Sequence, residues 1–374
     1  MIAKTSPNPG ANESQGLLRK LVGIEKRAVM RVLIIGGTRR CGPYLVKELL
    51  DKGHEVICYH RGQSNVAFST RAKQVLGDRR DREAFEKQVS ELDVEVVVDM
   101  IAVSDADVAA VAQVFRKKIR RYICISSYDV YEAYEAAWNH RPSLQPVPIP
   151  ENAPKKKQLY FYESDYEKIL VEEKVQEAQN KGYFSTTILR WSAIYGPRDP
   201  TPRDWYYVRQ ALDGRKQIAV PDGGSALLSR GYMQNMAHSI VLALENTRAD
   251  GEIYNVCDEM TYSVRQIVQM IGEIMDHEWE IVSVPRSLMP KTSRTQGRPF
   301  SYDPYDIDPH LLLDISKIKA DLGYRDIVPT RKALGATVRW LRDNPPQKSE
   351  PITMDYGVLD QAIERSKAFI RETS

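Results

Sequence analysis

Residues 31–62, RVLIIGGTRRCGPYLVKELLDKGHEVICYHRG, constrain the fold more than any other stretch of the chain. An apolar run, Val32 to Ile35, leads into glycines at 36 and 37. Beyond them Tyr44, Leu45, Leu49 and Leu50 fall at helical spacing, and Gly53 stands where a helix C-terminus needs a residue free to turn left-handed. A second apolar run, HEVICYH, follows at once. Two strands joined by about ten helical residues are built to pair in parallel through a right-handed crossover.

The alternation continues through VEVVVDMIA, RYICISS and STTILRWSAIYG, separated by helical patterns. This predicts an α/β fold, a doubly wound parallel sheet covered by helices. The second half is mixed. SRGYMQNMAHSIVLALEN reads as a turn entering a helix, EIYNVCD and EWEIVSVP as strands, and SVRQIVQMIGEIM, TRKALGATVRWLRDN and DYGVLDQAIERSKAFIRE as helices. Residues 286–310 are Pro/Tyr-rich and read as a long loop, functional or disordered. The expected organisation is a flexible N-terminal extension (1–29), a parallel-sheet domain (30–200, with return segments near 230–260), a smaller mixed α/β substrate-binding region (201–345) and a C-terminal tail with a helix (346–374).

Over 374 residues, 53 Lys+Arg against 50 Asp+Glu leave a net +3, which gives no reason to expect a nucleic acid or a membrane as partner. Cys41, Cys58, Cys124 and Cys257 form no C-x-x-C or Cys/His cluster, so neither a metal nor a disulfide framework is expected. No apolar run approaches spanning length and residues 1–29 lack the core of a secretory signal, which predicts a cytoplasmic protein.

In the dinucleotide-binding fingerprint the first glycine permits a tight turn, the second lets the backbone approach the pyrophosphate, and the third lets helix and strand pack closely. Gly36 and Gly42 take the first and third places, and Arg39 fills the second. A phosphate should still meet the free N–H groups and positive dipole end of a helix beginning near Arg40. Gly36, Gly37, Thr38, Arg39, Arg40, Cys41 and Gly42 therefore form the expected cofactor loop. Sites that prefer NAD place a carboxylate at the end of the second strand; here His60 stands there, with Arg61 next. Arginines at 39 and 61 suit a 2′-phosphate, which predicts NADP, with NAD as the alternative. Asp78, in GDRRD after the third strand position, is a candidate acceptor for the adenine amino group, and Ile101 and Ala102 complete the expected cofactor contacts.

With GGTRRCG, ISSYDVY, DYEKILVE, ILRWSAIYGPRD, GEIYNVCD and DISKIKADLGY in place, most of residues 31–344 resembles an extended or atypical short-chain dehydrogenase/reductase. The likeness is strongest to the epimerase/dehydratase-like subgroup with a G-G-x-x-x-x-G loop. The resemblance implies a Rossmann-like fold and hydride transfer to or from a nicotinamide. It also implies a Ser or Thr at a strand end, and a Tyr and a Lys four residues apart on a helix. That spacing sets phenol and ammonium on one helix face, where the ammonium lowers the phenol pKa. Ser127 matches the serine, and Lys168 the lysine, which would also hold the nicotinamide ribose. Ser164, however, stands in the tyrosine place. Tyr166 is two residues from Lys168, about 200° around a helix. The proton source is therefore left open among Tyr166, Ser164, Tyr160, Tyr162 and water.

By the same resemblance Tyr195, Gly196 and Pro197 shape the nicotinamide pocket. Tyr128, Trp191, Arg198, Arg203 and Trp205 are expected to line the substrate pocket, with Arg298, Phe300, Tyr302 and Tyr305 from the long loop. Such a lining suits a small polar or aromatic substrate, sugar-derived or a secondary metabolite. Homodimerisation is a habit of the family. The alternative is a catalytically retired dinucleotide-binding protein, a cofactor sensor or an RNA- or protein-binding module like the chloroplast stem-loop RNA-binding relatives.

Overall fold

The computed structural model describes residues 29–64, 71–138, 143–157, 166–293, 299–301, 307, 310–346 and 355–373. Strands β1 (Arg31–Ile35), β2 (Glu55–His60), β3 (Lys73–Leu76), β4 (Val96–Asp99), β5 (Arg121–Ser127) and β6 (Ser185–Trp191) join one parallel sheet. Outside it run β7 (Ala193–Tyr195), β8 (Gln217–Pro221) and β9 (Arg230–Tyr232); β10 (Glu252–Val256) then returns to its edge, giving the order 10-6-5-4-1-2-3. The sheet is the doubly wound α/β architecture expected from the sequence.

Alternation along β1 explains the two layers. Val32 and Ile34 pack with α1 (Gly42–Asp51), while Leu33 and Ile35 enter the opposite core. That second layer is built by α2 (Arg82–Ser90), α3 (Asp105–Phe115) and, after the short α4 (Glu132–Trp138), by α5 (Lys168–Asn180). The β3 strand had no apolar signature: Leu76 is 60% exposed at the sheet edge, beside the exposed Lys73 and Gln74. The run STTILRWSAIYG, expected as one strand, breaks at Ser192 because β7 leaves the sheet to pair with β9.

The rest of the chain forms a second core. Its helices are α6 (Trp205–Leu212), α8 (Val264–Met275) and α10 (Thr330–Asp343); α7 (Met233–Glu245) instead lies beside α1, and α9 (Ser316–Leu322) beside β10. β8 pairs in parallel with β11 (Glu280–Val284), and α11 (Tyr356–Thr373) covers that pair through Leu359, Ala362 and Ile363. The segment 286–310 is not wholly loop: β12 (Lys291–Ser293) pairs antiparallel with β13 (Pro299–Ser301). Of the N-terminal extension, residues 1–28 lie outside the described residues. No helix among the described residues is long and apolar enough to cross a membrane.

Candidate functional site

Strand order reverses between β1 and β4, whose last residues, Ile35 and Asp99, are paired. The crevice beyond the carboxyl ends of strands at such a switch point is where ligands enter open α/β sheets. Two loops meet there closely: a Cβ on Gly36, whose φ is +93°, would lie 2.7 Å from Ile101 Cγ2. Gly42 serves packing, since a Cβ there would lie 2.3 Å from the Gly37 carbonyl oxygen. The helix expected near Arg40 starts at Gly42. Arg39 is not among the residues with positive φ; the left-handed residue is Arg40, at φ +48°. Cys41 makes no side-chain cap and the first turn of α1 carries no acid, which leaves its N–H groups suited to a phosphate.

Two recesses adjoin this turn, both lined by Gly36, Arg39, Ile101 and Val103. The first, about 310 Å³, adds Thr38, Tyr59, His60, Arg61, Asp78 and Arg80 among others. Its rim is cationic and its floor is tied down. Arg79 is buried and donates to Asp99 at 2.7 Å, with Asp107 at 3.1 Å, so it is committed to the scaffold. Arg39 and Arg80 are exposed; Arg61 has Asp78 at 4.0 Å. His60 Nδ1 accepts the Gly62 N–H at 3.0 Å, and Nε2 faces Gln74 Oε1 at 3.1 Å, which fits the tautomer protonated at Nε2. No carboxylate stands at the end of β2.

The second recess, about 550 Å³, is lined by Ser127, Tyr128, Asp129, Tyr166, Lys168, Trp191, Ser192, Asp199 and Arg203 among others. Lys168 is the first residue of α5 and is buried, with Nζ donating to the carbonyls of Ala102 (2.6 Å) and Ile125 (2.9 Å). Because the helix begins there and Glu167 before it is extended (φ −150°, ψ 101°), helical spacing does not apply to Tyr166. It faces the same recess, its ring centre 5.6 Å from Lys168 Nζ, and its Oη–H donates to Asp129 Oδ2 at 2.7 Å. The expected turn away from Lys168 is thus corrected by the helix start. Burial, with the Asp129 carboxylate alongside, pushes the Tyr166 phenol well above its ordinary value. Asp129 itself is raised by burial, against the Tyr166 bond and the charges of Lys156 and Lys168. Among the described residues, Tyr128 Oη, Asp129 Oδ1, Trp191 Nε1 and Ser192 Oγ are buried without a hydrogen-bond partner, and all four residues line this recess. Unpaired buried polar atoms are costly and mark a place for a polar ligand or water.

Beneath the recess Glu172, one turn after Lys168, accepts from Ser126 Oγ (2.7 Å), Arg190 Nε and Nη2 (both 2.8 Å) and Lys155 Nζ (2.8 Å). Burial pushes its carboxyl up, but these bonds outweigh that and hold it below the ordinary range. Ser126 is therefore spent on the core, while Ser127 Oγ accepts the Asp129 N–H at 3.3 Å within the recess.

A model of the NAD dependent epimerase/dehydratase family matches residues 32–257, which include both recesses. The chain belongs to this family. Its likeness to the chloroplast stem-loop binding protein of 41 kDa b of Arabidopsis thaliana is 28% identity over 61% of this chain and 59% of that protein. The 2′-dehydrokanamycin reductase of Streptomyces kanamyceticus is 24% identical over 68% of this chain and 70% of its own length. Two further curated relatives are spanned over only 50% and 47% of their length. Among solved structures, UDP-glucose 4-epimerase from Bifidobacterium longum in complex with NAD+ and UDP superposes with a TM-score of 0.63 at 18% identity, covering 84% of this chain and 99% of that one. At that identity the likeness concerns the fold.

Within this family frame the residues singled out from sequence fall into four groups. Gly36, Thr38, Arg39, Arg40, Cys41, His60, Arg61, Asp78 and Ile101 line one recess or both, with Gly37 and Gly42 packed against each other and Ala102 supplying a carbonyl to Lys168. Ser127, Tyr128, Tyr166, Lys168, Trp191 and Arg203 meet in the second recess. Arg198 and Trp205 correct the expectation: Arg198 stacks 5.1 Å over Trp340 beside a separate groove, and Trp205 packs on the second core. Tyr160, Tyr162, Ser164, Arg298, Tyr302 and Tyr305 lie outside the described residues, as does the side chain of Phe300. Sequence reasoning missed Asp129, although SSYDVY places it two residues after Ser127.

Proposed function

We propose that the chain is an NADP(H)-dependent hydride-transfer enzyme acting on a small polar or aromatic substrate, sugar-derived or a secondary metabolite. The observation that carries this is the single glycine turn shared by two unlike recesses, one rimmed by cations and one holding Ser127, Tyr166 and Lys168 with unpaired buried polar groups. The first recess takes the adenosine end: Arg39, Arg61 and Arg80 favour a 2′-phosphate, and no carboxylate follows β2 to repel it. The α1 N-terminus receives the pyrophosphate. Lys168 and Ser127 hold the nicotinamide ribose and the reacting oxygen, and the bound cofactor supplies the hydride. Residues 30–200, with the returns near 230–260, carry the cofactor, and 201–345 complete the substrate side.

Titration with NADPH and NADH, followed by nicotinamide fluorescence and thermal shift, tests this reading; tighter binding of NADPH is expected. Preference for NADH, or Arg61→Asp leaving NADPH affinity unchanged, overturns the 2′-phosphate assignment. A second reading, a retired cofactor-binding protein that engages RNA, is favoured by Ser164 in the tyrosine place and by the stem-loop binding relative. It predicts NADPH binding with no turnover of any carbonyl compound.

A further inference from the structure

A proton must accompany each hydride, and Ser164 in the tyrosine place leaves its source open. Geometry separates Tyr166 from Asp129, two of the groups in the second recess that can carry a proton. Tyr166 already donates its proton to Asp129 Oδ2, and Lys168, the cation that would acidify a phenol, has Nζ engaged by two backbone carbonyls. The raised phenol pKa makes Tyr166 a reluctant acid. Asp129 is arranged otherwise. It is 8% exposed, Tyr166 fixes Oδ2, and Oδ1 is buried without a partner among the described residues. A carboxyl oxygen in that position favours carrying a proton.

We propose that Asp129 is the general acid–base of this site, with Tyr166 as the positioning residue that orients the carboxyl through Oδ2. The proposal rests on the reading of the chain as an NADP(H)-dependent hydride-transfer enzyme. In the reducing direction a carbonyl carbon gains a hydride from the reduced cofactor and its π electrons move to oxygen. Asp129 gives its O–H proton to that oxygen and becomes a carboxylate, which water reprotonates. Oxidation runs the same steps backward, with Asp129 taking the alcohol proton. The groups acting on Asp129 are Tyr166 just before α5, Lys168 on α5 and Lys156 in the preceding segment, with Ser127 and Tyr128 beside it. Burial raises its pKa; the Tyr166 bond, the two lysines and a bond from Ser127 oppose that, and burial prevails.

The test compares wild type with Asp129→Asn, Asp129→Glu and Tyr166→Phe in two measurements. NADPH oxidation is followed with 9,10-phenanthrenequinone and glyceraldehyde as carbonyl probes. Independently, infrared spectra of protein carrying [4-13C]aspartate titrate the Asp129 carboxyl, identified by its loss in Asp129→Asn. Asp129→Asn should cut kcat about 100-fold or more with NADPH affinity retained, and Asp129→Glu should restore part of it. Tyr166→Phe removes a bond that favours the carboxylate, so the alkaline limb of the reduction profile should move to higher pH. The infrared midpoint should lie above the ordinary aspartate range. A midpoint within that range, or an Asp129→Asn enzyme as fast as wild type, overturns the proposal. If wild type binds NADPH yet reduces neither probe, the infrared midpoint alone decides. Failure of wild type to bind NADPH sinks the functional reading instead.

Discussion

The two recesses share one turn and differ in how their polar groups are housed. In the first recess the charges sit at the rim, with Arg61 about half exposed and the buried Arg79 already matched to Asp99 and Asp107. In the second recess Lys168 and Asp129 are buried, and several polar atoms lack partners among the described residues. Solvent screens the rim charges while burial magnifies the others, so the second set carries the larger stability cost.

This contrast is broken most directly beneath the buried side. Glu172→Ala would leave Arg190, only 1% exposed, charged and without its main partner. A loss of about 3–5 kcal/mol is expected by chemical denaturation. A loss near zero would mean the network is relaxed and the two sides are not so unlike. Next in size is the shared turn: Gly42→Val pushes a side chain into the Gly37 backbone and should cost about 1–3 kcal/mol while abolishing NADPH binding. Retained binding would show that the turn tolerates separation of strand and helix.

At the rim, Arg61→Asp should weaken NADPH about tenfold or more, equivalent to about 1.5 kcal/mol, and leave melting temperature almost unchanged. A large stability loss there would erase the distinction. A further, pH-dependent effect concerns a carboxyl outside both recesses. Asp326 is pushed up to about 7 by burial and by the charge of Asp258. Its folded pKa exceeds its unfolded one, so the unfolded state loses its proton first and stability falls as pH rises from about 4 to about 7. Asp326→Asn should remove that part of the slope in melting temperature against pH; an unchanged slope would place the titration elsewhere.

Much of the scaffold was legible because its signals are local. The continuous apolar run VLII, buried on both faces of the sheet, the helical spacing of Leu45 and Leu49 and the second apolar run on schedule specify β1, α1 and β2 without outside help. β3 was faint because an edge strand need not be apolar. The site was less legible. Whether Tyr166 and Lys168 share a face depends on where α5 starts, and no residue before Lys168 announces that start. In GDRRD nothing distinguishes Arg79, which goes inward, from Arg80, which stays out, since the choice is made by Asp99 and Asp107 from distant segments. Asp129 likewise reads as a turn residue until the chain before α5 brings Tyr166 over it.

The contact of Gly36 with Ile101 has a practical corollary for redesign. With only a hydrogen on the glycine, the clearance between the two loops is set by the isoleucine, which is 40% exposed. Ile101→Ala or Ile101→Val is thus the substitution with which to admit bulkier cofactor analogues, whereas any enlargement at position 36 closes the passage.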